Sequence, residues 1–114
     1  MMRFEQSPND PDKVILKRPQ FAEGVKHDAG KLRWSLIPAG VMDDYLKVLE
    51  FGAAKYSEHN WQFVPDAQLR YYDAAMRHME HWWRGGDVDE ESGLSHLAHA
   101  MCCITFLMWL EKNT

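Results

Sequence analysis

Arg77-His78-Met79-Glu80-His81, then Gly85-Gly86-Asp87-Val88-Asp89-Glu90-Glu91, then His96-Leu97-Ala98-His99, is the stretch that decides the fold. It holds four of the six histidines of the chain, in two His-x-x-His pairs. Residues three apart share one face of a helix, so each pair reads as one side of a helix. The paired glycines end the first helix. The loop after them carries the carboxylates of Asp87, Asp89, Glu90 and Glu91. Two such helices packed antiparallel bring both histidine pairs and the acidic loop together, as a cage for divalent metal ions. A lone surface histidine carries little information. Two matched pairs with carboxylates between them carry more.

Working outward, the first of these helices reads as residues 66–84, with Asp66 as its N-cap. Leu69, Tyr72, Met76, Met79 and Trp83 form one apolar stripe along it, which is expected to pack in the core. His78 and His81 then lie on the opposite side, beside Ala74. The second helix reads as 92–111, capped by Ser92, with Ser92, His96, His99 and Cys103 on one face. From Ala100 it is apolar all round, which predicts burial, centrally or at a subunit interface. Its histidines lie near the helix N-terminus, which favours anions. An earlier helix is expected over about 39–55, behind Pro38, from the spacing of Val41, Met42, Tyr45, Leu46, Leu49 and Ala53.

No period-two alternation is sustained, so the fold class is all-α, an antiparallel helix bundle. Residues 1–25, with Pro8, Pro11 and Pro19, read as an extended N-terminal arm. Within it Val14-Ile15-Leu16 reads as a short strand, a segment packed on a neighbouring subunit, or a surface-lying tail. Residues 26–114 form the helical domain.

The 114 residues suggest one domain, and the 46% apolar fraction is enough for a core. A net charge of -4 gives no footprint for nucleic acid. The apolar run from Ala100 to Leu110 is too short to span a membrane, and the N-terminus lacks the apolar stretch of a signal peptide. The two cysteines, Cys102 and Cys103, are adjacent and do not suggest a secreted disulfide scaffold. A cytoplasmic location, with no membrane and no nucleic-acid partner, is expected.

Two loops carry binding chemistry. Lys26-His27-Asp28-Ala29-Gly30-Lys31-Leu32-Arg33-Trp34 gathers basic groups around a glycine, either for phosphate or as an ordinary charged loop. Lys55-Tyr56-Ser57-Glu58-His59-Asn60-Trp61 joins aromatic and amide groups. They can stack on and read a base, or Tyr56 and Trp61 simply close the core.

Four motifs then stand in a familiar order: Lys26-x-Asp28-x-Gly30-Lys31; Phe51-Gly52-Ala53-x-Lys55-Tyr56-x-x-x-Asn60-Trp61; Arg77-His78; and Asp89-x-Glu91-Ser92-Gly93-Leu94-x-His96-Leu97-Ala98-His99. Together, over about residues 26–110, they resemble the phage dATP/dGTP diphosphohydrolase family, which includes the MazZ enzymes. That family is similar to the all-α MazG-type nucleoside triphosphate pyrophosphohydrolases, whose paired carboxylates hold magnesium against the triphosphate. The resemblance implies metal-dependent hydrolysis of dGTP and dATP to monophosphate and pyrophosphate, in phage nucleotide metabolism such as 2-aminoadenine DNA synthesis. It also implies a homodimer or homotetramer. This chain departs from the superfamily by placing histidines where paired carboxylates stand. Imidazole suits manganese or a softer transition metal better than magnesium. Either Mg2+ or Mn2+ is held mainly by carboxylates, or the working metal is softer.

The expected metal ligands are His78, Glu80, Asp89, Glu91, His96 and His99, with Glu80 and Glu91 also catalytic. Lys26, Asp28, Lys31, Lys55, Tyr56, Asn60, Trp61 and Arg77 are expected to bind substrate. Two rival functions stand beside this one. One is a metal phosphohydrolase that releases tripolyphosphate. The other is a non-catalytic helical module for oligomerisation or binding.

Overall fold

The computed structural model describes the backbone of residues 3–7 and 10–17, and all of residues 23–114. The chain divides into two units, residues 1–34 and 35–114. In the first unit, β1 (Arg3–Ser7) pairs antiparallel with β2 (Asp10–Lys17). The register runs from Arg3 opposite Lys17 to Gln6 opposite Val14, and shifts before Ser7. Val14-Ile15-Leu16 therefore lies in a strand, as one of its three readings had it. Pro8 and Pro19 lie outside the described residues.

The second unit is all-α. It contains α1 (Val41–Lys55), α2 (Ala67–Trp83) and α3 (His96–Lys112), with a 3-10 turn at Asn60–Phe63 between the first two. No helix among the described residues is long and apolar enough to cross a membrane.

The helix starts differ from the expected caps. Pro38 stands upstream of α1, whose N-cap position is Gly40 at φ 87°. Asp66 does occupy the N-cap position of α2, but at φ 55° and ψ 36° its side chain caps nothing. Helix α3 begins at His96 rather than at 92. Its cap is Ser95, whose hydroxyl accepts from the Leu97 N–H at 3.1 Å. Ser92 belongs to the turn before it, where Gly93 (φ 71°) donates its N–H to the Asp89 carbonyl. Ser95 stands three residues after the expected cap and takes its place because the turn uses Ser92.

Helix α3 runs antiparallel to α2. His81 and His78 on α2 meet His96 and His99 at the start of α3, whereas the earlier Tyr71 meets the later Phe106. Helix α1 opposes α3 in the same sense. The Tyr45 hydroxyl donates to Thr105 Oγ1 at 3.0 Å, and Phe51, further along, lies edge-on to His99. Helices α1 and α2 thus form two walls, with α3 as the floor.

Among the described residues the buried side chains are mostly small: Val48 on α1, Ala67 and Ala75 on α2, and Ala98, Ala100, Cys102 and Cys103 on α3, with His96 the one large exception. Small residues let the backbones approach. The apolar stripe of α2 does the opposite of what its periodicity suggested. Leu69, Tyr72, Met76, Met79 and Trp83 are all exposed in the single chain, Trp83 at 76%. The helix packs instead through the face that carries Tyr71, Ala75 and His78. Helix α3 is likewise covered on one side only, with Leu97, Ile104 and Met108 exposed.

Gly85-Gly86 closes α2 as a Schellman turn. The Gly86 N–H donates to the His81 carbonyl at 2.9 Å and the Gly85 N–H to that of Trp82 at 3.0 Å, with Gly85 at φ 93°. A Cβ on Gly86 would stand 2.8 Å from the His81 carbonyl oxygen. That is backbone, so relief requires the turn to move. Gly86→Ala is expected to cost about 1–3 kcal/mol of stability, read as a lowered thermal midpoint by circular dichroism. An unchanged midpoint would contradict this account of the turn.

Candidate metal and nucleotide site

The end of α2 and the start of α3 bring the histidines together. His78 Nδ1 lies 3.0 Å from His96 Nδ1. The His78 ring stacks on His99 with centroids 4.5 Å apart, and His81 stacks on His96 at 5.1 Å. His96 is buried, and His78 and His99 are half-buried.

The loop between the helices supplies the carboxylate. The Asp89 N–H donates to the Leu94 carbonyl at 2.8 Å, and the Asp89 side chain accepts from the Ser92 N–H at 2.9 Å. These bonds fold residues 89–94 into a tight turn. Val88 and Ser95 meet in an isolated antiparallel bridge at its base. Asp89 is therefore aimed rather than free to swing. One ligand atom each from His78, Asp89 and His96 lie within 4.8 Å of one another.

Ser92 ties this group to its neighbour. Its hydroxyl shares a hydrogen bond with His99 Nε2 at 2.6 Å and accepts one from the Leu94 N–H at 3.2 Å. His99 Nε2 also lies 3.8 Å from Asp89 Oδ2. The sequence offered Ser92 as a helix cap on the same face as His96 and His99. Its place between an aspartate and a histidine comes from the turn, which periodicity does not encode.

The cluster opens onto a cleft of about 1160 Å³ between α1 and α2. Phe51, Lys55, Tyr56, Asn60, Trp61 and Arg77 line it together with His78, Asp89, Glu91 and His99. A smaller cavity of about 450 Å³ reaches the cluster from beside His81, Gly86 and Glu90.

The remaining expected site residues are placed variously. Glu91 forms an ion pair with Lys55, which stands 5.1 Å over the Tyr56 ring. Glu80 is exposed and paired with Arg84 at 2.7 Å, and it lines neither cavity. Trp61 stacks on Phe106 at 4.5 Å and meets Trp109 edge-on at 5.1 Å, so its ring is engaged in packing. Lys26, Asp28 and Lys31 are exposed and belong to the first unit.

Residues 22–114 match the family described as dATP/dGTP diphosphohydrolase, N-terminal. The chain belongs to that family. It is also 38% identical over 90 residues to a protein of Salmonella phage PMBT28 named dATP/dGTP diphosphohydrolase. That match covers 79% of this chain and 30% of the relative, so the chain spans under a third of the relative's length. No solved structure matches the chain.

In this member of the dATP/dGTP diphosphohydrolase family the donor set fits a divalent ion. Two imidazoles and one carboxylate suit the divalent transition metals. The two Nδ1 atoms, 3.0 Å apart, and the Asp89 carboxylate are near enough to one another for a single ion to engage all three residues. The protonation states agree with a ligand role. Burial, with the neighbouring His99, lowers His78 to about 4, against the opposing pull of Asp89. Burial also lowers His99. Burial opposes ionisation of Asp89, but hydrogen bonds from the Ser92 N–H and hydroxyl outweigh it and hold the carboxyl below its usual range. Neutral imidazoles and an ionised carboxylate are the forms that ligate.

The same shift has a consequence for metal-free protein. Between pH 6.5 and about 4 the unfolded chain protonates His78 while the folded chain does not. Stability therefore falls as pH drops through that window, and is retained above it. In chelator, the thermal midpoint is expected to fall across this range, and to fall less steeply in His78→Gln. Equal slopes in both proteins would contradict the assignment.

Proposed function

We propose that this chain carries the catalytic site for metal-dependent hydrolysis of deoxypurine nucleoside triphosphates, dGTP and dATP, to monophosphate and pyrophosphate. The observation that carries the reading is the cleft. Its lining includes His78 and Asp89 of the two-histidine, one-carboxylate cluster together with Lys55 and Arg77, and His96 adjoins them from the smaller cavity. Family membership and the printed name of the phage relative support the same substrate class. Resemblance to enzymes that feed 2-aminoadenine DNA synthesis supplies a metabolic setting.

His78, His96 and Asp89 would hold the metal, manganese being the best match to the donors, with magnesium the alternative. When bound, a divalent ion there supplies positive charge against the phosphate oxygens and acidifies water. The residues of the chain do the rest. Arg77 and Lys55 hold polyphosphate oxygens, and the Ser92 N–H keeps Asp89 ionised and aimed. His99, kept neutral by burial and steadied by the Ser92 hydroxyl, accepts the proton of the attacking water. Attack at the α-phosphorus forms the new phosphorus–oxygen bond and breaks the one to the bridging oxygen, so pyrophosphate leaves. Tyr56 and Asn60 line the cleft toward the base. Trp61 shapes its wall through Phe106 rather than offering a free face. Glu80, expected as a ligand and catalytic residue, is paired with Arg84 and takes no part in these steps, in which His99 is the base.

The exposed apolar faces of α2 and α3 support a homodimer or homotetramer. A stripe such as Leu69, Tyr72, Met76, Met79 and Trp83 is costly to leave in water. Sedimentation at micromolar concentration is expected to show a dimer or tetramer, shifted toward monomer by Met76→Lys. A monomer in the parent protein would refute this.

A panel of nucleoside triphosphates with Mn2+ or Mg2+, read by chromatography, tests the activity. Monophosphate and pyrophosphate from dGTP and dATP are expected, with Arg77→Met reducing kcat/KM by at least about tenfold. Tripolyphosphate as product would favour the rival regiochemistry. No turnover with any substrate would favour a binding module.

A further inference from the structure

The Lys55–Glu91 ion pair stands in the same cleft as the metal cluster without joining it. Lys55 is the last residue of α1, while Glu91 lies two residues after Asp89 in the turn before α3. The pair therefore ties one wall of the cleft to the loop that carries the metal carboxylate. Both side chains are substantially exposed, at 38% and 58%. Exposed ion pairs of this kind contribute little to stability. This one is easily exchanged.

Each partner has a second natural use within the cleft. Lys55 is a point charge suited to polyphosphate oxygens. Glu91 is a carboxylate on the tight Asp89–Leu94 turn, close enough to His99 for its charge to act on that ring. His78, Asp89 and His96 provide three donors with only one carboxylate. A hard divalent ion favours more oxygen ligands than that. Among the described residues, the pairing with Lys55 is what engages Glu91 elsewhere.

We propose that Lys55 and Glu91 form an exchange pair that couples polyphosphate binding to metal binding. In the resting chain Lys55 holds Glu91 out of the metal cluster. Polyphosphate takes Lys55, and Glu91 is released to join Asp89 as a second carboxylate donor. Metal then binds more tightly when substrate is present, and by linkage substrate binds more tightly when metal is present. The inference rests on the proposed metal and nucleotide reading of the cleft. It adds a route by which an empty site holds metal loosely and a loaded one holds it firmly.

The test is a double-mutant cycle for Mn2+ alone, by calorimetry, without nucleotide, on the full chain. Lys55→Met is expected to tighten Mn2+ binding about tenfold, because Glu91 is released. Glu91→Gln alone is expected to change the affinity less than about threefold, because Glu91 is not a ligand at rest. In the Lys55→Met background the same change should remove most of the gain, which is the non-additivity that marks direct coupling. Lys55→Arg, which keeps the pair, should behave as the parent. Simple removal of a repelling charge predicts instead that Glu91→Gln costs the same factor in both backgrounds. That additive result would overturn the proposal, as would an unchanged or weakened affinity in Lys55→Met, or no Mn2+ binding at all. Thermal melts of each variant confirm that it is folded. Because no nucleotide is present, the cycle is separable from turnover. Coupling without hydrolysis of any nucleotide would leave the exchange pair standing and sink the pyrophosphohydrolase reading.

Discussion

The 3.0 Å approach of His78 Nδ1 to His96 Nδ1 is the constraint on which the rest of the unit depends. At that distance one Nδ1 donates to the other, which two charged rings cannot do, so at least one of the two is neutral. The contact also demands one register between α2 and α3. The Schellman turn at Gly85-Gly86 stops α2 just after His81, and the Asp89–Leu94 turn returns the chain so that Ser95 caps α3 immediately before His96. A residue more or less in the loop would change the facing pairs. The small buried residues Ala75, Ala98 and Ala100 allow the backbones close enough for rings on both to stack.

This arrangement turns α2 around relative to what apolar periodicity alone suggests. The histidine-bearing face is inward and the stripe from Leu69 to Trp83 is outward. A period of 3.6 identifies a helix and its apolar side, but not whose surface covers that side. The same gap explains α3, where continuous apolar sequence correctly marked an element with little to gain from water. One side of it is nonetheless open in the single chain.

Much else was legible. Three helices and their approximate extents followed from spacing, and the six expected ligands include the three, His78, Asp89 and His96, whose ligand atoms lie within 4.8 Å of one another. The caps were less legible, because Ser92 and Ser95 offer the same chemistry and the choice between them depends on the Asp89 turn. Sequence proximity put Glu80 among the candidate ligands. At about 100° per residue it points well away from His78, and Arg84 one turn later takes its charge. Trp61 shows the reverse limit. An aromatic beside a polar loop reads either as a stacking platform or as a residue that closes the core, and packing against Phe106 and Trp109 engages its ring as the second reading had it.

The proposed function rests on a division of labour within one cleft. Two imidazoles and one carboxylate form the cluster, and Lys55, Arg77 and the aromatic residues Phe51, Tyr56 and Trp61 line the cleft beside it. The central claim is that His78, Asp89 and His96 together hold a divalent ion facing that cleft. Anomalous diffraction at the manganese edge, on crystals equilibrated with Mn2+, tests it most directly. The account predicts a peak about 2.0–2.3 Å from one nitrogen of each histidine and one oxygen of Asp89. A peak held only by exposed carboxylates such as Glu80 or Glu90, with His78 and His96 still in contact with each other alone, would contradict it.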